Sequence, residues 1–411
     1  MAEFYDGLET RSADARAASL AECLPRQIAH AKANSAYFGK ALAGIDAATI
    51  TDRAALMGLP VLRKSDLLEL QKASPPLGGL NATPIDRLAR LFMSPGPIFE
   101  PEGHGSDAYR FARALFAAGF RKGELVHNTF AYHLTPAGRI AESGAHALGC
   151  PVFPAGVGNT EQQVQAIAGM KPRHYIGTPS FLKIILEKAK EMGADVSSLR
   201  HALVSGEALP PSLRAELAEH GVAVLQAYAT ADVGLIAYES EAKEGLIVDE
   251  GAIVEIVRPG TGTPVPDGEV GEVVVTVLNP DYPLIRFGTG DMSAVLAGTS
   301  PCGRTNLRIK GWMGRADQTT KVKGMFVHPS QIAEIAKRHP EVTRARLEVT
   351  GEKGQDAMTL VCETAAGDAA LADAVAQSLS SVTKLRGTVK LVGVGDLPND
   401  GKVIADLRSY E

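Results

Sequence analysis

The chain has 411 residues, 45% hydrophobic and 22% charged, with 42 Lys and Arg against 47 Asp and Glu for a formal net charge of −5. This is ordinary globular usage, enough for one large α/β unit with a smaller one, and it excludes general disorder. It also lacks the basic excess that drives nucleic-acid binding. The four cysteines, Cys23, Cys150, Cys302 and Cys362, are scattered and form no C-x-x-C pair, which points to a reducing compartment rather than a disulfide framework. The start carries no basic-then-apolar leader, and no run of about 18 apolar residues occurs, so a cytoplasmic protein without a membrane partner is expected.

Residues 1–90 read as helical and irregular. Ala13, Ala17, Leu20 and Leu24 predict an amphipathic helix over 11–24 that Pro25 ends or kinks, with a second helical piece over 26–35. A short helix is expected over 64–72, entered through Ser65 and Asp66. From about residue 91 short apolar runs alternate with helical stretches: 125–129, 136–148, 152–154, 161–170, 174–176, 180–192, 201–204, 211–220 and 222–228. That is the βαβ rhythm of a covered, largely parallel sheet. After residue 237 the rhythm changes. Strands at 251–257 and 269–277 flank a Gly/Pro/Asp-rich turn, which predicts a small antiparallel subdomain, and a further strand is expected at 293–296. The last 90 or so residues alternate strand and helix as a separate small α+β unit. The polar, glycine-bracketed segment 314–324 is the boundary.

An ordered series of short motifs carries the chemistry. Gly177-Thr178-Pro179-Ser180 follows a strand and opens a helix, and Ser205-Gly206-Glu207-Ala208 follows the next strand. Tyr228-Ala229-Thr230-Ala231-Asp232, Arg286-Phe287-Gly288-Thr289-Gly290-Asp291 and Gly314-Arg315-Ala316-Asp317 come after it. The stretches KVKGMFVHP at 321–329 and LPNDGK at 397–402 complete the set, with PVLRK at 60–64 near the start. In this order and spacing the series resembles the acyl-adenylate-forming, AMP-binding enzymes, and within them the phenylacetate–CoA ligase family. The resemblance covers most of the chain.

The resemblance implies an α/β fold: a large N-terminal domain of layered parallel sheets and helices with a small β subdomain, plus a small mobile α+β C-terminal domain. The expected divisions are 1–90 and 91–316 in the large domain and 317–411 in the small one. It implies AMP-forming acid–CoA ligation, with ATP, Mg²⁺ and coenzyme A as cofactors and a small, aromatic carboxylic acid as substrate. Relatives of this kind are often dimers, so a homodimer is a further expectation. Asp291 would grip the ribose hydroxyls, while Gly206, Glu207, Ala208 and Tyr228 would surround adenine, Tyr228 by stacking. Ala229, Thr230 and Arg315 would complete the nucleotide contacts, and Asp232 would hold Mg²⁺. Lys402 would be the adenylation lysine, Asp317 the hinge, and Lys323 and Gly324 the wall of the coenzyme A passage. Tyr132 and His133 fall where the acyl pocket is expected, although a capped strand end reads equally well there. Adenylation needs no general base, so none is assigned to His133.

Three departures from the family pattern stand out. Where the family has a Ser/Thr/Gly-rich phosphate loop ending in Lys-Pro, this chain reads Met93-Ser94-Pro95-Gly96-Pro97-Ile98-Phe99-Glu100-Pro101. Only Ser94, Gly96 and Pro101 fit. Prolines offer no N–H to a phosphate, and Glu100 puts a negative group where a cation belongs. After Tyr228 the family's glycine, hydroxyl residue and glutamate are replaced by Ala229, Ala231 and Asp232. A structural zinc site of some relatives would fall on Ser240, Ile247, Ser300 and Cys302, a set with one soft ligand, and no zinc is expected. These departures leave a second reading: a ligase-like protein with impaired ATP use that binds AMP, an acyl-adenylate or an acyl-CoA.

Overall fold

The structure is a computed structural model that describes residues 3–258, 261–313, 315–316, 320–323, 325–327, 329–352, 355–398 and 402–408. The chain forms two compact units, Met1–Met313 and Gly314–Glu411.

The first unit opens with one helix, Ala13–Asn34, in which Ser12 caps the N-terminus by accepting the Ala15 N–H at 3.1 Å. Pro25 lies inside the helix, so the expectation that the helix could end there, with a separate piece over 26–35, is corrected. A proline there costs roughly 3 kcal/mol. Leu24, Ile28 and Ala31 are fully buried at helical spacing, and burying such side chains returns about 1.5–3 kcal/mol for each large one. Gln27 adds hydrogen bonds to the carbonyls of Val277 and Asn279 at 3.2 and 3.0 Å. Tertiary packing therefore overrides local propensity. Over 64–72 the chain makes a 3₁₀ turn, Lys64–Asp66, before the helix Leu67–Ala73.

A nine-stranded sheet forms the centre. Its strands run, side by side, Val295–Leu296, Arg308–Ile309, Leu246–Val248, Gly234–Tyr238, Ala223–Thr230, His201–Val204, His174–Gly177, Val126–Asn128 and Val152–Pro154. The last five are parallel, alternating in sequence with the helices Ala137–Ala147, Thr160–Met170, Pro179–Met192 and Pro211–Glu219. The other pairings are antiparallel, so the expectation of a largely parallel sheet holds for one half only. Ala223–Thr230 is the seam: three residues separate it from Gly234–Tyr238, too few for a crossover, so the chain must return as a hairpin.

The small sheet also differs from the expected subdomain. Gly271–Val277 lies between Ala252–Val257 and Phe287–Ser293, all antiparallel, and Leu62–Arg63 adds to Phe287–Ser293 in parallel. The strand expected at 293–296 is divided between two sheets. Ser293 ends a strand of the small one and Val295 begins a strand of the large one, with Ala294 fully buried between.

The second unit is a four-stranded sheet in the order Thr388–Val392, Gln355–Thr364, Val342–Glu352, Ile404–Asp406. Its central hairpin is antiparallel and its outer pairings are parallel. Helices Pro329–Arg338 and Ala369–Thr383 supply Ile332, Ile335, Val375 and Leu379 to its core, against Leu347 and Leu360.

Candidate active site

Three loops at the carboxyl ends of the parallel strands carry most of the expected nucleotide residues, which is where open α/β sheets place ligands. Thr178 caps helix Pro179–Met192 by accepting the Phe181 N–H at 3.4 Å. Glu207 reaches the same helix start and accepts the Ser180 N–H at 3.4 Å. A carboxylate at exposed helix N–H groups is electrostatically favoured, and this contact ties the Ser205–Ala208 loop to its neighbour. Gly206 has φ +80°, a left-handed conformation that disfavours any side chain, and a Cβ there would lie 3.9 Å from Phe130 and Thr178. Glu207 and Ala208 are exposed, and Tyr228, Ala229 and Thr230 are half-buried at the end of the seam strand. The Thr230 hydroxyl accepts the Val233 N–H at 3.3 Å in the turn that follows.

Asp291 comes from the small sheet yet meets Tyr228 from the large one. The Tyr228 hydroxyl donates to Asp291 Oδ2 at 2.8 Å, and Trp312 Nε1–H donates to Oδ1 at 3.2 Å. Asp291 is 8% exposed. Its N–H donates to Thr289 Oγ1 at 3.1 Å, and that hydroxyl donates to the Val273 carbonyl at 3.0 Å. Trp312 is absent from the sequence-level assignment; its only signal is that it is the chain's one tryptophan, set just before the boundary segment. Arg286, in the same motif, has a different part. It is buried and ion-paired to Glu255 at 2.9 Å, and its Nη atoms donate to the carbonyls of Met57, Leu59 and Gly262.

The segment expected as a phosphate loop is a tight hairpin, Arg90–Ser94 paired with Ile98–Glu102, with Gly96 in its turn. Gln71 clamps it through both amide atoms, at 2.7 Å to the Phe99 carbonyl and 2.9 Å to the Phe99 N–H. Glu100 is 1% exposed and points back across the hairpin. It accepts the Ser94 N–H at 3.2 Å on one oxygen and the Ser94 hydroxyl on the other. Burial pushes its carboxyl up to about 8, with the negative charge of Asp232 adding to the rise and Ser94 and Lys64 opposing it.

Asp232 sits beyond the seam strand, 6% exposed, with Oδ2 2.6 Å from Lys64 Nζ. Its Oδ1 is buried without a hydrogen-bond partner among the described residues. The Lys64–Asp232 pair joins the 60–64 motif to the Tyr228 motif. Sequence spacing could not show this, because 168 residues separate the two. No group of three His, Cys, Asp or Glu among the described residues could hold a metal ion, and the Lys64 ammonium already holds Asp232 Oδ2. The residues present do not make a resident Mg²⁺ site.

At the acyl-pocket position, Asn128 donates to the Tyr132 hydroxyl at 2.8 Å and to the Gly138 carbonyl at 2.9 Å. Burial pushes the Tyr132 phenol up. Tyr132 is half-buried, whereas His133 is exposed. The neighbouring Leu134 carbonyl accepts the Met93 N–H at 2.8 Å, which joins this loop to the hairpin. In the second unit Lys402 is exposed just before strand Ile404–Asp406, and Arg315 is half-buried. Lys323, at φ +47°, turns the hairpin Thr320–Val322/Met325–Val327, its N–H on Asp356 at 2.7 Å. Asp317 and Gly324 lie outside the described residues.

Residues 136–277 match the AMP-binding enzyme family. The chain is 31% identical to a phenylacetate–coenzyme A ligase of Thermus thermophilus over 82% of its length and 78% of that protein. It is 32% identical to one of Pseudomonas putida over 80% of this chain and 77% of that one. With one of Escherichia coli it shares 29% identity over 98% of both chains. Among solved structures, 2-hydroxyisobutyryl-CoA ligase in complex with 2-HIB-AMP and CoA superposes with a TM-score of 0.77 at 25% identity, covering 98% of this chain and 92% of that one. Relatives of this closeness over four-fifths of the sequence, on an adenylate-forming fold, settle descent: the chain belongs to the phenylacetate–coenzyme A ligase family of AMP-binding enzymes.

Proposed function

We propose that this protein is an AMP-forming acid–CoA ligase acting on a small, aromatic carboxylic acid. In the first half-reaction a substrate carboxylate oxygen attacks the α-phosphorus of ATP, giving acyl-AMP and pyrophosphate. In the second, the coenzyme A thiol attacks the acyl carbonyl, AMP leaves, and the thiol proton is released. The observation that carries this reading is the Tyr228–Asp291 hydrogen bond at 2.8 Å. It supports the reading by bringing a buried carboxylate of the small sheet to the carboxyl end of the seam strand, next in the sheet to the strand that precedes Gly206, Glu207 and Ala208.

Asp291 accepts the ribose hydroxyls in this scheme, with Tyr228 and Trp312 fixing its carboxylate plane. Gly206 and Ala208 leave room for the adenine face, and Glu207, Ala229 and Thr230 border it. ATP enters as its Mg²⁺ complex, the metal travelling with the substrate phosphates beside Asp232 rather than residing in the protein. Lys402 brings a flexible ammonium to the carboxylate and α-phosphate, where charge develops during adenylation. Arg315 contacts the nucleotide, Asp317 is the hinge, and Lys323 and Gly324 line the coenzyme A passage. Phe130 beside Gly206, and Tyr132 on Asn128, offer an aromatic wall with one polar handle, which suits an aryl acid.

Carboxylate-dependent ATP–pyrophosphate exchange with a panel of aryl and short aliphatic acids, followed by thioester formation on adding coenzyme A, tests this. Exchange strongest with an aryl acid is the expected result. Absence of exchange with every acid, in protein that binds AMP, would remove the ligase assignment.

A further inference from the structure

We infer that Glu100 is an internal occupant of the phosphate loop and sets the preference of the site between mono- and triphosphate nucleotides. The inference rests on the ligase reading only in taking the 93–101 segment as the region that faces the nucleotide phosphates.

A loop that grips phosphate does so with backbone N–H groups and hydroxyls aimed at one point. In this hairpin Pro95, Pro97 and Pro101 offer no N–H, and Ser94 carries the one hydroxyl of 93–101 together with its own N–H. Both are spent internally: its N–H donates to Glu100 Oε2 at 3.2 Å and its hydroxyl to Oε1. A two-oxygen acceptor facing an N–H and an O–H is the geometry a phosphate would present. The hairpin is also held closed, by the Gln71 clamp on Phe99 and by five cross-strand pairs from Arg90–Glu102 to Ser94–Ile98.

The surroundings point the same way. Glu100 is buried near Asp232 and Lys64, whose own ion pair spans 2.6 Å. Asp232 belongs to the loop leaving Tyr228, so the carboxyl lies on the side from which the nucleotide is approached. A β- or γ-phosphate entering this corner meets the Glu100 carboxyl already on both Ser94 donors, and an Asp232 carboxylate paired to the one ammonium. AMP and an acyl-adenylate need neither Ser94 donor, and Glu100 leaves them untouched. ATP must displace Glu100 from Ser94, and that displacement costs it affinity.

Equilibrium binding of ATP and of AMP to the full chain, Glu100→Ala and Glu100→Gln tests this, alongside a melting curve for each variant. Glu100→Ala frees both Ser94 donors and should tighten ATP by about tenfold or more, the scale of a charge-assisted hydrogen bond, while AMP stays within about twofold. Glu100→Gln keeps the shape and an acceptor, and because burial pushes the Glu100 carboxyl up to about 8, its gain should appear above that pH, where the parental carboxylate is charged; it also carries the test should the alanine variant not fold. Equal shifts for ATP and AMP, or no shift for ATP, overturn the role of Glu100 and leave the ligase reading intact. No binding of either nucleotide to any form overturns both.

Discussion

The phenol of Tyr228, on the central sheet, donates to the carboxylate of Asp291, on the small sheet, at 2.8 Å, while Trp312 donates to its other oxygen. Two sheets are thereby joined at a buried carboxylate, the one proposed to hold the ribose. Removing the hydroxyl in Tyr228→Phe keeps the ring but loosens the carboxylate. A hydrogen bond of about 1.5 kcal/mol corresponds to roughly tenfold, so AMP affinity should fall by about that factor with little change in melting temperature. Asp291→Ala should weaken AMP far more. Calorimetric titration with AMP checks both, and parental affinity in the alanine variant would dismiss the ribose role.

Trp312 is the chain's one tryptophan and touches Asp291 directly, so its fluorescence reports on that carboxylate without labelling. Saturating AMP should change the emission in the parental protein, and the change should be lost in Asp291→Ala. An emission spectrum indifferent to AMP in protein shown to bind it would place the nucleotide elsewhere.

Lys402→Ala should abolish carboxylate-dependent ATP–pyrophosphate exchange and leave AMP binding within about twofold, because that ammonium is assigned to charge developing in the reaction rather than to the bound nucleoside. Exchange at the parental rate would refute the assignment.

His174 supplies a pH dependence of stability. It is fully buried, stacked on Phe120 with centroids 4.1 Å apart, and its Nε2 lies 2.7 Å from Glu124. Burial lowers its pKa to about 4, outweighing the Glu124 contact. The unfolded chain binds a proton near 6.5 and the folded protein resists until about 4, so stability should fall as pH drops through that window and be unaffected above it. The loss should reach about 1–3 kcal/mol. Melting temperatures at pH 7 and pH 5 measure it, and His174→Gln should flatten the difference. An unchanged slope in the variant would assign the effect to other groups.

Arg286 predicts a structural cost instead. Its guanidinium is 2% exposed and satisfied by Glu255 and three carbonyls. Arg286→Met leaves Glu255 buried without its ion pair, at a cost of about 3–5 kcal/mol. Denaturant unfolding should show it; a loss below about 1 kcal/mol would mean the pair is replaced locally.

Local patterning alone determined a good deal of this protein. The strand–helix alternation from residue 125 to 228 was legible because the strands are short apolar runs and the helices between them carry apolar residues at helical spacing, one of them capped by Thr178. The ordered motifs pointed to the family because each is a short local string in a fixed order, as with Gly177–Ser180 and Ser205–Ala208 after their strands. Tertiary structure decided what depends on partners far away in the chain. Packing of Leu24, Ile28 and Ala31 carried a helix through Pro25. The Lys64–Asp232 pair and the Trp312 contact bring charged and polar groups together across folded space. Residues of one motif were also divided between surroundings, Arg286 among Glu255 and backbone carbonyls and Asp291 beside Tyr228 and Trp312 at the proposed site, because burial and the available partners, not proximity in sequence, decide what a charge can do.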